Sequence, residues 1–281
     1  MRRLLSILVL TTAAAMAAAA APAADQTQAA RALMRASGAW DMLGTVQDQL
    51  QASLTRIAST PKEPASEVAL DRLASVARSA FETDKLRATA TRSIARGLDS
   101  RHLPALLDWY ESPVGAEITR LEAVAARLQT DPRATMINGG AQLQRSTPLR
   151  RQLIDEVIAS TRASDAGATI AIGIALAMQR GMAASTRLAA PGTNSQLRAQ
   201  LEAQRGQMIQ AFDALFRASF ALTYEQLPDQ GLQNYVAFLR SPAGQHFNSL
   251  VIAAIGQALN DGAESLARSL RYQGSRTPGV R

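Results

Sequence analysis

Apolar residues along this chain recur every three or four positions and almost never alternate. "AWDMLGTVQDQLQASLTRIA" places Trp40, Leu43, Val46, Leu50, Leu54 and Ile57 on one helical face. A second helical region, from Ser66 to about Arg96, carries Val68, Leu73, Val76, Phe81 and Leu86. Leu103, Leu106, Leu107 and Tyr110 mark a short helix that Asp99 or Ser100 can cap, and Val114, Ile118, Leu121 and Val124 mark the next. Ser146-Thr147-Pro148 reads as a cap followed by a proline start, leading to Leu153, Val157 and Ile158. "ATIAIGIALAM", Ala168 to Met178, is the most apolar internal run; at roughly half a bilayer span it predicts a buried core helix. Leu201, Met208, Phe212, Leu215 and Phe216 predict a long helix to about Ala221. The expected fold class is all-α.

Breaks in the pattern divide the chain. Pro61 and Pro64 interrupt it in "STPKEPAS", and "APGTNS" from Ala190 to Ser195 reads as a turn. "DPRATMINGGAQLQRSTP", with Asn138-Gly139-Gly140 inside it, is the weakest stretch for regular structure and the expected boundary between two units, 24–143 and 144–271. The polar end, 272–281, predicts a disordered tail.

One feature occurs twice. Shifting the chain by 129 residues lays Ser112, Pro113 and Gly115 on Ser241, Pro242 and Gly244. The same register lays Leu86 on Leu215, Leu98 on Leu227, Leu103 on Leu232, Trp109 on Phe238 and Leu121 on Leu250. This predicts two tandem repeats of an antiparallel helical unit, each turning at a Ser-Pro-x-Gly helix corner. The serine can cap the new helix, the proline suits its first position, and the residue before a proline leaves helical dihedrals. The glycine costs helix propensity and needs a reason. Close packing against Trp109 or Phe238 is the expected one, because apolar residues surround both copies. The alternative is an anion site at the helix N-termini, with Ser112, Gly115, Ser241 and Gly244 as contacts.

A helix ending in an aromatic residue and Ser-Pro-x-Gly, in a short exported helical protein, resembles the bacterial domain of unknown function 2059 family. Tyr110-Glu111-Ser112-Pro113-Val114-Gly115 carries the resemblance. In the second copy Leu239 replaces the nearest aromatic and leaves Phe238 one position earlier. The lysine common after the family's motif is replaced by Glu117 and His246. The resemblance covers about 50 residues per copy. It implies an exported all-helical protein and no established activity.

The address agrees. Arg2 and Arg3, the Ala-rich apolar run from Leu4 to Ala21 and the small residues of Ala21-Pro22-Ala23 read as a signal peptide, 1–23, cleaved near Ala23. The expected location is periplasmic or secreted. The chain has no cysteine, which excludes thiolate catalysis, thiolate metal sites and disulfides. Net charge is +7, and beyond residue 140 arginine exceeds acid. Arg150-Arg151 is the densest basic surface expected within the mature chain; a weak field of this kind draws anionic lipid or polysaccharide, although simple solubility is the plainer reading. No nucleic-acid partner is expected.

Catalytic constellations are missing from the pattern. His102 and His246 fall at non-equivalent places in the repeat, without metal-ligand spacing. Ser59-Thr60-Pro61-Lys62 matches a serine-enzyme motif but sits in a proline-broken linker. Asp108 and Glu111 share a helix face, as solvated carboxylates do. No catalytic residue, metal ligand or cofactor motif is assigned. The expected function is a binding or interaction module for a protein, peptide or envelope component. The alternatives are a hydrolase with a groove between the two units and a protein that binds anionic surfaces.

Overall fold

A computed structural model describes residues 13–58, 73–129, 131–186 and 193–276. Every regular element among them is helical. In chain order they are α1 (Ala13–Ala36), α2 (Ala39–Ala58), a helical stretch over 73–80, α3 (Thr83–Gly97), a 3₁₀ turn (Ser100–His102), α4 (Leu103–Glu111) and α5 (Pro113–Leu128). Then come α6 (Pro132–Arg145), α7 (Pro148–Thr161), α8 (Ala163–Thr186), α9 (Thr193–Ala203), α10 (Arg205–Thr223), α11 (Asp229–Arg240) and α12 (Pro242–Arg276). Residues 1–12, which include Arg2 and Arg3, Ser59-Thr60-Pro61-Lys62 and residues 277–281 lie outside the described residues. The α1 backbone runs through Ala21-Pro22-Ala23 without interruption.

Local chemistry sets the helix ends. Asp99 accepts a hydrogen bond from the Arg101 N–H at 2.9 Å and starts the 3₁₀ turn into α4. Asp131 and Thr147 cap α6 and α7, and Pro132 and Pro148 occupy the first position of each. Gly38, at φ 75°, turns α1 into α2; Arg162, at φ 52°, plays the same part between α7 and α8.

The core is drawn from both ends of the chain. Leu33 and Met34 of α1, Leu43 of α2 and Leu86 and Ile94 of α3 pack with Phe247, Ala254, Ala258 and Leu266 of α12. A second cluster joins Ile118 of α5 and Leu153 and Val157 of α7 to Tyr224, Leu227 and the α11 residues Leu232, Val236 and Leu239. A smaller one sets Ile154 and Ile158 against Ala221 of α10. Thus α3 from the first half lies along α12, and α10 from the second half lies along α6.

Several expectations are corrected. The stretch judged weakest is a continuous helix, α6, with Asn138-Gly139-Gly140 inside it. Its glycine is a contact rather than a break: a Cβ on Gly139 would collide with the backbone of Ala218 in α10. Conversely, the region expected as one helix from Ser66 to Arg96 is interrupted at Phe81-Glu82, and the helix expected to reach Ala221 is interrupted at Gln204. The tail expected from 272 is still helical to Arg276. The apolar run in α8 buries Ala168, Ile172 and Leu176 while Thr169 and Gly173 stay exposed, so it is one-sided. No helix among the described residues is long and apolar enough to cross a membrane.

Candidate functional site

The two Ser-Pro-x-Gly segments form closely matching corners. Ser112 has φ −66° and ψ 150°, and Ser241 has φ −67° and ψ 154°. The Ser112 hydroxyl donates to the Trp109 carbonyl at 2.6 Å and accepts from the Gly115 N–H at 3.0 Å. Ser241 donates to the Phe238 carbonyl at 2.7 Å and accepts from the Gly244 N–H at 3.1 Å. Each hydroxyl therefore ties the last turn of one helix to the first turn of the next. A Cβ on Gly115 or Gly244 would strike the carbonyl oxygen of Trp109 or Phe238. That is the reason for the glycine, and it differs from the expected one: the close neighbour is the aromatic residue's backbone, not its ring. The rings of Trp109 and Phe238 stack on each other instead, with centroids 4.5 Å apart and planes at 6°. The N–H groups offered as an anion site at Gly115 and Gly244 are taken by the serines.

Gly244 nevertheless borders a cavity and Gly115 does not. The cavity, about 430 Å³, lies between the α1–α2 turn, α2, α4, α5, α11 and α12. Its walls include Tyr110, Tyr235, Phe238 and Phe247, and Glu122 of α5 supplies a carboxylate. Asp41 and Arg127 stand at its exposed margin. Tyr224 donates to Glu122 Oε1 at 2.6 Å, and Tyr235 donates to the same oxygen at 3.0 Å. No hydrogen bond reaches Glu122 Oε2 from the described residues.

Burial is the main influence on this cluster. It raises the Glu122 pKa above the usual glutamate range, while the two tyrosine hydrogen bonds pull it down. The Tyr110, Tyr224 and Tyr235 hydroxyls are pushed up by burial first and by the Glu122 charge second. Tyr110 stands edge-on to Phe238 at 5.7 Å and to Phe247 at 5.9 Å, so the rings form a continuous wall. The arrangement sets the Glu122 carboxylate beside an aromatic wall, with Ser37, Thr45 and Asn248 also in the lining; a few placed polar groups among apolar walls fix the orientation of a small ligand.

Other residues singled out in the sequence are accounted for differently. Arg150 is not a free surface cation. Its guanidinium, 15% exposed, donates to the Tyr224 carbonyl at 2.8 Å and pairs with Asp229 at 2.7 Å. It fastens the start of α7 to the turn before α11. Arg151 is exposed and donates to the Leu143 and Ser146 carbonyls at the end of α6. The two histidines, 144 positions apart in the sequence, meet: their ring centroids are 5.1 Å apart. His246 Nε2 lies 3.0 Å from the Gly97 carbonyl and 3.3 Å from the Asp99 N–H, at the end of α3. Among the described residues, no group of three or more His, Asp or Glu is placed to hold a metal ion.

Sequence reading passed over Glu122, Tyr224 and Tyr235. The signal for Glu122 was present: it follows buried Ile118 by one helical turn and so falls on the apolar face of α5. In the 129-residue register its counterpart is Val251, an apolar residue that lines the same cavity. A carboxylate where the pattern calls for valine marks a charge drawn partly into the apolar interior. No protein-family model matches the chain, and no curated protein or solved structure is significantly similar to it.

Proposed function

We propose that this chain is an exported binding module of the periplasm whose cavity at Glu122 takes a small ligand or an inserted side chain of a peptide or envelope partner. The observation that carries this reading is the cavity: aromatic walls beside the Glu122 carboxylate, whose Oε2 receives no hydrogen bond from the described residues. Its volume falls within the range of small-molecule sites. The signal-peptide pattern and the resemblance to the domain of unknown function 2059 family support the exported address.

The reading includes a duplication: two helical units, each turning at a Ser-Pro-x-Gly corner. Supporting it are the matching dihedrals and hydrogen bonds of the two corners and the stacking of Trp109 on its counterpart Phe238. In the 129-residue register α12 corresponds to α5 and α6 together, the first copy being interrupted at Gln129. The cavity then sits where the two units meet.

Trp109 stacks on Tyr235 and Phe238, both in the cavity wall, so its fluorescence senses occupancy. The test is a titration of a fragment panel followed by melting temperature and by tryptophan fluorescence, to which Trp109 and Trp40 both contribute. Ala126→Phe, which fills the exposed edge of the cavity without adding a tryptophan, is the blocked control. Fragments that shift wild type and not the blocked variant support the reading; a panel that shifts neither, or both alike, overturns it.

A second reading rests on the same carboxylate. A raised glutamic acid in a cleft with Asp41 at its margin is the arrangement of a general acid with a second carboxylate. Turnover of a glycoside or ester panel that vanishes in Glu122→Gln would favour the hydrolase. The binding reading ranks first because both tyrosines hold Glu122 through one oxygen and no nucleophile–base pair is found among the described residues that line the cavity.

A further inference from the structure

Resting on the reading of the cavity as a binding site, we propose that its ligand carries a cationic, hydrogen-bond-donating head, an alkylammonium group on an apolar or aromatic body, which binds Glu122 Oε2 and packs against the tyrosine and phenylalanine rings. Three observations select this chemistry. Tyr224 and Tyr235 both spend their hydroxyls on Oε1, so Oε2 is left to accept from whatever enters. The walls at Tyr110, Tyr235, Phe238 and Phe247 are aromatic, and ring faces attract a desolvated cation. Among the described residues that line the cavity Arg127 is the one basic side chain; it is exposed at the margin, as Asp41 is, and so offers no internal partner to an anion. An anionic head would therefore meet Glu122 without compensation, and a neutral donor would forgo both the ion pair and the ring attraction.

The groups facing Glu122 are Tyr110 of α4, Tyr224 at the end of α10 and Tyr235 of α11, with Asp41 and Arg127 at the opening. The three tyrosines stay neutral far above physiological pH, because burial raises each of them. An arriving ammonium is thus the missing counter-charge when Glu122 ionises. A free amine and the lysine side chain of a partner offer this same chemistry.

The experiment is calorimetric titration with three probes of one shape and three charges: 2-phenylethylammonium, 2-phenylethanol and phenylacetate. A blocked tripeptide, acetyl-Gly-Lys-Gly-amide, separates a free amine from a partner's lysine. The expected result is binding of the ammonium at least about tenfold tighter than the alcohol, and no binding of phenylacetate. Glu122→Gln, which keeps an acceptor for both tyrosines, should weaken the ammonium by about tenfold and leave the alcohol nearly unchanged. Tighter binding by the tripeptide than by the free amine assigns the site to a partner's lysine; the reverse assigns it to a small molecule. If the alcohol or phenylacetate binds wild type as tightly as the ammonium, the cation assignment is overturned whether or not the variant folds, and the cavity remains a binding site. If none of the probes binds, the cation assignment is likewise lost, and the fragment titration decides the binding reading by itself.

Discussion

At the scale of single residues, Ser112, Gly115 and Glu122 each carry a separable consequence. Ser112 holds two hydrogen bonds across its corner, so Ser112→Ala should cost about 1 to 2 kcal/mol in denaturant unfolding. Gly115→Ala forces a methyl group against the rigid Trp109 carbonyl and should cost more, on the order of 1 to 3 kcal/mol. An unchanged midpoint in either variant would show that the corner does not depend on these contacts. Glu122 acts through pH. Its pKa is raised in the folded protein, so the folded state holds the proton longer than the unfolded chain does. Stability from this group is fully present below the ordinary glutamate value of 4.5 and is lost as pH rises from there through the folded pKa. Glu122→Gln does not titrate. The melting-temperature difference, variant minus wild type, should grow as pH rises above 4.5 and then level off; a difference independent of pH would contradict the assignment.

At the scale of helices, α6 runs against its local sequence signal. A Gly-Gly pair in a polar stretch normally signals a break, because glycine loses most in a helix. What overrides this is tertiary: Gly139 lets α6 and α10 approach backbone to backbone, a contact about 80 residues away in sequence and invisible to local pattern. Gly140, one position on, has nothing near it. The two therefore separate cleanly. Gly139→Ala should destabilise by about 1 to 3 kcal/mol, and Gly140→Ala should stabilise by about 0.5 to 1 kcal/mol. Equal effects would mean that α6 does not lie against α10 in this way. Features fixed within one turn were legible: the caps at Asp99, Thr147 and Ser112, the proline starts, and the all-helical class. The candidate site was not, since Glu122, Tyr224, Tyr235 and Phe247 converge from four helical segments, and only Glu122 breaks the apolar pattern by itself.

At the scale of the whole molecule, the halves exchange helices: α3 rests on α12, and α10 rests on α6. Residues 24–143 or 144–281 alone would expose the faces that the other half covers. Each should melt without a cooperative transition by circular dichroism, whereas the full chain melts in one step; a half that unfolds cooperatively near the full-length midpoint would refute the interlocked core. The same exchange brings the second corner, but not the first, to the cavity. Gly115 and Gly244 are therefore chemically matched amides in matched corners, and of the two Gly244 alone borders the cavity. The most direct test is an amide chemical-shift titration of wild type with the tightest fragment from the panel. Binding in this cavity predicts that Gly38, Ala126 and Gly244 shift together and saturate while Gly115 stays in place; movement of Gly115 as large as that of Gly244, or of neither, would contradict it.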